Sequence, residues 1–148
     1  MKKTQQIIAI ARDIAATTPD FHKVKGPGLG DNANHAFMAE LRIRVKDELG
    51  EDYSEKRICG DNQSAVDFYI PDEKTIIEVA LTLRNPQSEF HKDIFKALLA
   101  KDVGTDVDHL VFVSKPGAQN RHQQPSSQAI IRWLAKHYSI TVTIEEMK

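Results

Sequence analysis

The chain has 148 residues, of which 41% are apolar and 28% charged, and its formal net charge is -1. That length suits one domain with a real core, the composition excludes extended disorder, and the charge excludes a general electrostatic pull toward nucleic acid, so any such binding needs a local basic patch. Cys59 is the only cysteine, which excludes an intrachain disulfide and a Cys-based zinc site and fits a reducing compartment.

The opening MKKTQQIIAIARDIAA has lysines before an apolar patch, but Gln5, Gln6, Arg12 and Asp13 interrupt it, and no apolar run reaches the length of a membrane span. A cytoplasmic protein is expected. Ile7, Ile8, Ala11, Ile14 and Ala15 predict an amphipathic helix over Thr4 to Ala16, with Thr4 as its cap. Gly26, Pro27, Gly28 and Gly30 then mark an irregular loop without the Lys-Ser/Thr ending of a phosphate-binding loop, so residues 1–33 read as an appendage.

Asp31 or Asn32 caps a second predicted helix that runs to Leu49, where Gly50 stops it. Phe37, Leu41 and Val45 form its core stripe, and Glu40 borders the polar face. Ser54 to Cys59 reads as a weak strand, and Gly60-Asp61-Asn62 turns the chain into Ser64 to Arg84, two strands joined at Pro71-Asp72-Glu73-Lys74. The three strands form a predicted antiparallel meander. After Pro86 and Ser88 the apolar period lengthens to that of a helix, with Phe90, Ile94, Ala97 and Leu98 inward and Glu89, Lys92, Asp93 and Lys96 on the polar side.

His109 to Ser114 is a compact apolar run expected as a buried strand, parallel to a meander strand because it follows a helical crossover. Lys115 to Ser127 reads as a long loop. Ser126 or Ser127 then caps a helix through Tyr138, with Ile130, Trp133, Leu134 and His137 on its inner face. Ser139 to Ile144 closes the chain as an added edge strand.

The chemistry of this pattern lies in Asp67 and Glu78, each set in an apolar strand where Val or Ile would be usual. Each stands three or four residues from the turn, so the hairpin brings them to about the same height. If their side chains share a face, like charges at that separation repel without a cation, for which a hard divalent ion is the economical partner; in the alternative, one points to solvent and the other pairs with a lysine or arginine. The six histidines show no metal-ligand spacing, and neither HExxH nor GxSxG occurs, which speaks against a zinc enzyme and gives no sign of a serine nucleophile.

The order helix, three strands, helix, strand, with Asp67 on the second strand and Glu78-Val79-Ala80 on the third, resembles the PD-(D/E)XK nuclease superfamily of restriction-endonuclease-like fold. The resemblance covers roughly Asn34 to Ser114. It implies an α/β restriction-endonuclease-like core, a metal-dependent nuclease acting on DNA, and Mg²⁺, with Mn²⁺ as a substitute, held by Asp67, Glu78 and the Val79 carbonyl. It also makes Glu40 a third acid. The lysine of Glu-X-Lys is Ala80 here, and some members move that lysine to the following helix. Lys92, nearer the helix start, is the preferred replacement, with Lys96 next and Arg84 and Gln87 as lesser phosphate contacts. A domain of this size reaches one strand of a duplex at a time, which allows for a homodimer. The alternative reading is a catalytically inactive module of the same fold that binds nucleic acid or a protein partner.

Overall fold

The computed structural model describes residues 1–19, 21, 29–81 and 86–148; the glycine-rich segment 22–28 and Arg84 lie outside them. Its elements are α1 (Lys2–Thr17), α2 (Leu29–Leu49), β1 (Ser54–Lys56), β2 (Val66–Ile70), a 3-10 turn (Pro71–Glu73), β3 (Thr75–Ala80), α3 (Pro86–Asp102), β4 (His109–Ser114), α4 (Ala118–Arg121), α5 (Pro125–Tyr138) and β5 (Thr141–Glu146). The strands form one mixed sheet in the order β1-β2-β3-β4-β5. β1, β2 and β3 are the antiparallel meander, β4 runs parallel to β3, and β5 is a parallel edge strand.

Alternation along the strands divides the interior in two, because successive strand residues point to opposite sheet faces. Ile77, Val111 and Val113 join Ile7, Ala11, Ile14, Phe37, Leu41 and Val45 of α1 and α2 in one core. Ile76, Leu110 and Phe112 join Phe90, Ile94 and Ala97 of α3 and Leu134 of α5 in the other. The molecule is therefore a helix layer, a sheet and a second helix layer. Among the described residues no helix is long and apolar enough to cross a membrane.

Several boundaries differ from the sequence expectation for local reasons. The helix expected as part of an appendage is a main wall of the first core, with Ile7 and Ala11 fully buried. It begins at Lys2, so Thr4 lies inside it rather than capping it. The cap comes from the hairpin turn instead. Glu73 accepts the backbone N–H groups of Lys3 at 2.7 Å and Thr4 at 3.0 Å, and the Thr4 hydroxyl donates to it at 2.6 Å. A carboxylate is favourable there because the helix start exposes N–H donors and the positive end of the helix dipole.

The first strand is shorter than expected, Ser54–Lys56, and part of the predicted 115–127 loop is the short helix α4. The last strand starts at Thr141 because Ser139 takes a left-handed φ of 55° that terminates α5. Trp133 and His137, expected inward, are exposed. The inner stripe of α5 runs through Ser127, Ile130, Ile131 and Leu134, and Trp133 lies on its flank, edge-on to Tyr138 with ring centres 5.1 Å apart.

Phe68 has no exposed surface, whereas Trp133 is 43% exposed. Phe68→Ala is expected to cost about 3–5 kcal/mol of stability, and Trp133→Ala no more than about 1 kcal/mol. Urea denaturation of the two variants measures the difference; equal midpoints would contradict this assignment of the core.

Candidate functional site

Asp67 and Glu78 stand opposite one another one position beyond Phe68 and Ile77, the last paired residues at this end of the β2–β3 ladder. Here side chains take over from the main chain. The Asp67 N–H donates to Glu78 Oε1 at 3.1 Å, and the Val79 N–H donates to Asp67 Oδ2 at 2.8 Å. Each carboxylate is thereby oriented by a backbone donor of the other's neighbourhood, and hydrogen bonds to ionised acceptors are the strong kind.

A third element closes the group. Lys96 reaches from α3 and donates to Glu78 Oε2 at 3.1 Å and to the Ala65 carbonyl at 3.0 Å, and it lies 3.2 Å from Asp93 Oδ1. Two hydrogen bonds and this ion pair hold the ammonium in position. The group is well shielded, since the side chains of Glu78 and Lys96 are 3% and 12% exposed.

Burial dominates the titration of both acids. It raises the Asp67 carboxyl above the usual carboxylate range, against the hydrogen bond from Val79 and the charges of Lys96 and Arg42. Burial raises Glu78 well above that range; the charges of Asp67 and Asp93 and a side-chain hydrogen bond with Asp93 add to it, while Lys96 opposes. For Lys96 burial disfavours the charged form, but Glu78 and Asp93 outweigh it and hold the ammonium above the ordinary lysine range. One cation thus faces three acids in a region that water reaches poorly. The arrangement favours retained protons or added positive charge.

The other sequence candidates are placed as follows. Lys92, the preferred replacement for the missing lysine, is exposed one turn before Lys96 and makes no ion pair or hydrogen bond among the described residues; Lys96 holds the position against Glu78. The reason is helical phase. Lys96 lies three residues after Asp93 and four before Ala100, and both of those are buried toward the sheet. Glu40 is exposed on α2 and likewise makes no contact with the pair. About the axis of α2 it lies on one flank of Leu41, while Arg42 lies on the other, pairing with Glu55 of β1 at 3.5 Å and acting on Asp67 electrostatically. Gln87 is directed elsewhere, donating to Ser127 Oγ at 3.3 Å. Arg84 lies outside the described residues. Ala80 is half-buried on the same strand face as Glu78.

Sequence reading passed over Asp93, which it set on the polar side of α3. Its signal was present, since position 93 is three residues after Phe90 and four before Ala97, both on the inward stripe. Among the described residues no cluster of three or more His, Cys, Asp or Glu side chains is disposed around a common metal position. Two oriented carboxylates nonetheless fit a hard cation of the Mg²⁺ type, which takes one or two protein carboxylates and fills its remaining positions with water and phosphate oxygens.

The raised carboxyls set a pH dependence of stability. Their folded pKa values exceed the unfolded ones, so the folded state holds protons that the unfolded chain releases. The contribution is complete below the unfolded carboxylate range, near pH 4, and is lost as pH rises through the elevated folded values. In the presence of a chelator, Glu78→Gln is expected to flatten this decline and to be at least as stable as wild type at neutral pH. Thermal midpoints across a pH series measure it; a variant that keeps the wild-type slope would show that Glu78 is not a source of the decline.

No protein-family model matches the chain, and no curated protein or solved structure matches it.

Proposed function

We propose that the chain is a metal-dependent nuclease of the PD-(D/E)XK superfamily, hydrolysing phosphodiester bonds in nucleic acid, with DNA as the expected substrate. The observation that carries the reading is the pair of half-buried Asp67 and buried Glu78, opposed on adjacent strands and served by a lysine. The strand order, an antiparallel meander followed by a parallel strand reached through α3, supports it as a restriction-endonuclease-like topology.

In this reading Asp67, Glu78 and the Val79 carbonyl are the groups that would hold Mg²⁺. The cation would supply Lewis acidity and an acidified water at neutral pH. The chain's own residues do the rest. The amides of Asp67 and Val79 keep the two carboxylates oriented in the absence of substrate. Lys96 supplies the positive charge that Ala80 lacks, stabilising negative charge that develops on the phosphoryl oxygens. Asp93 and the Ala65 carbonyl position its ammonium, and a phosphate oxygen must replace at least one of these acceptors for Lys96 to act.

One observation favours the second reading, a non-catalytic module of the same fold. Lys96 hydrogen-bonds Glu78 and the Ala65 carbonyl and pairs with Asp93, and the Glu78 side chain is 3% exposed, so the group is also a closed ionic cluster.

Cleavage assays with Mg²⁺ on supercoiled, linear and single-stranded DNA separate the two. Asp67→Ala and Glu78→Ala are expected to abolish both cleavage and the calorimetric signal for Mg²⁺ or Mn²⁺. Lys96→Ala is expected to lower kcat by on the order of 10², with recovery when Ala80→Lys is added to it. Glu40→Gln should leave the rate unchanged and stability within about 0.5 kcal/mol. Undiminished metal affinity in both carboxylate variants would sink the nuclease reading, as would a wild type that cuts nothing with either metal.

A further inference from the structure

Beside the carboxylate pair, α3 and the segment between β1 and β2 border an open cleft of about 480 Å³. Its walls include Ser64 from that segment and His91, Lys92, Phe95, Lys96 and Leu99 from α3, and none of its lining residues carries a carboxylate. Phe95 is 64% exposed and Leu99 43%. Residues 91, 95 and 99 form one stripe at four-residue spacing, with 92 and 96 beside it, so an apolar and aromatic strip runs along a strip of lysines. The inward face of α3 is complete without Phe95, because Phe90, Ile94 and Ala97 already fill the core beneath it. Lys96 is common to the two places: its side chain lines the cleft and its ammonium ends on Glu78.

The occupant must offer a flat apolar face for Phe95 and negative charge for Lys92 and Lys96. Nucleic acid offers both, but in a duplex the bases stack on one another and their faces are covered. A lone aromatic ring beside lysines gains most from a strand whose bases are unstacked, since base-to-aromatic stacking is tolerant of sequence and is the usual device of single-strand binders. The recessed pair next door has the same preference, because a flexible single strand can lower a phosphate toward a nearly buried Glu78.

We propose that this cleft binds single-stranded nucleic acid, one base stacking on Phe95 and the adjoining phosphates meeting Lys92 and His91. The proposal rests on the nuclease reading for what happens to the strand after it binds. It names the substrate class of the site, and it makes Lys92 a binding residue in place of the catalytic role expected from sequence.

The test is fluorescence anisotropy of the full chain with labelled oligothymidylate and with a duplex of equal length, in chelator, over a salt series. The single strand is expected to bind more tightly than the duplex. Phe95→Ala should weaken single-strand binding about tenfold or more. Phe95→Trp should retain it and Phe95→Leu should not, which separates stacking from loss of apolar area. Lys92→Ala should reduce the slope of log affinity against log salt by about 0.7. Phe95 is exposed, so thermal midpoints near wild type verify that these variants fold. A duplex preference, or wild-type affinity in Phe95→Ala, overturns the proposal. So does a dimer in sedimentation that Phe95→Ala dissociates, since the cleft would then be covered by a second copy of the chain. Cleavage of the same strands with Mg²⁺ keeps the two readings apart. Binding without cleavage by any metal removes the nuclease and leaves the cleft, whereas cleavage indifferent to Phe95→Ala removes the cleft and leaves the nuclease.

Discussion

The ammonium of Lys96 is what allows β2 and β3 to carry opposed carboxylates in the interior. Two buried like charges across an antiparallel pair repel, and Asp93 adds a third acid from the helix above. Strand hydrogen bonds orient the acids but do not neutralise them. Lys96 does both, and through the Ala65 carbonyl it also fixes the segment leading into β2. Phe90, Ile94 and Ala97 seat α3 on the sheet, and Lys96 ties that packed helix to the carboxylates.

The layered architecture explains why the lysine comes from α3. β3 is central, with β2 antiparallel on one side and β4 parallel on the other, and the crossover to β4 has to lay a helix across the face that Glu78 occupies. Ala80 shares that face two residues further on. A long side chain at position 80 would enter the region that Lys96 now fills, so a short residue on the strand and a lysine on the helix are complementary solutions to one steric problem. α1 and α2 pack on the other side of the sheet, from which the charge of Arg42 still acts on Asp67. They close the opposite core, and Glu73, in the turn that joins β2 to β3, secures the start of α1.

The sequence was most legible where periodicity is strong. The meander, the parallel β4, the inward face of α3 and the opposition of Asp67 and Glu78 all follow from period-two and helical patterns with a turn at Pro71 to Lys74. Information ran out where tertiary contacts decide. Thr4 looks like a cap, yet a carboxylate 69 positions away does the capping. Trp133 looks like core, yet the small residue Ser127 and the aliphatic stripe of α5 take that face. The choice between Lys92 and Lys96 is a matter of helical phase once the buried face is known. Nearness to the helix start is a weaker guide than the position of Asp93, an acid on an otherwise apolar stripe.

A cluster of three acids and one lysine is a poor device for stability alone, because well-packed apolar residues of similar volume are often as stabilising as a buried ion pair or more so. Local rules broken at one place in an otherwise consistent fold point toward function. Asp67 and Glu78 occupy positions that suit Val or Ile in every respect except chemistry, and the one lysine that balances them also lines the open cleft along α3. Under the proposed function a phosphate bound in that cleft would compete with Glu78 and Asp93 for the Lys96 ammonium. Drawing the ammonium toward substrate would take from Glu78 the cation it pairs with among the described residues, and would raise the site's demand for a metal. Under the proposed function, substrate and metal would then bind cooperatively, and the closed ionic cluster would be the resting state of the site.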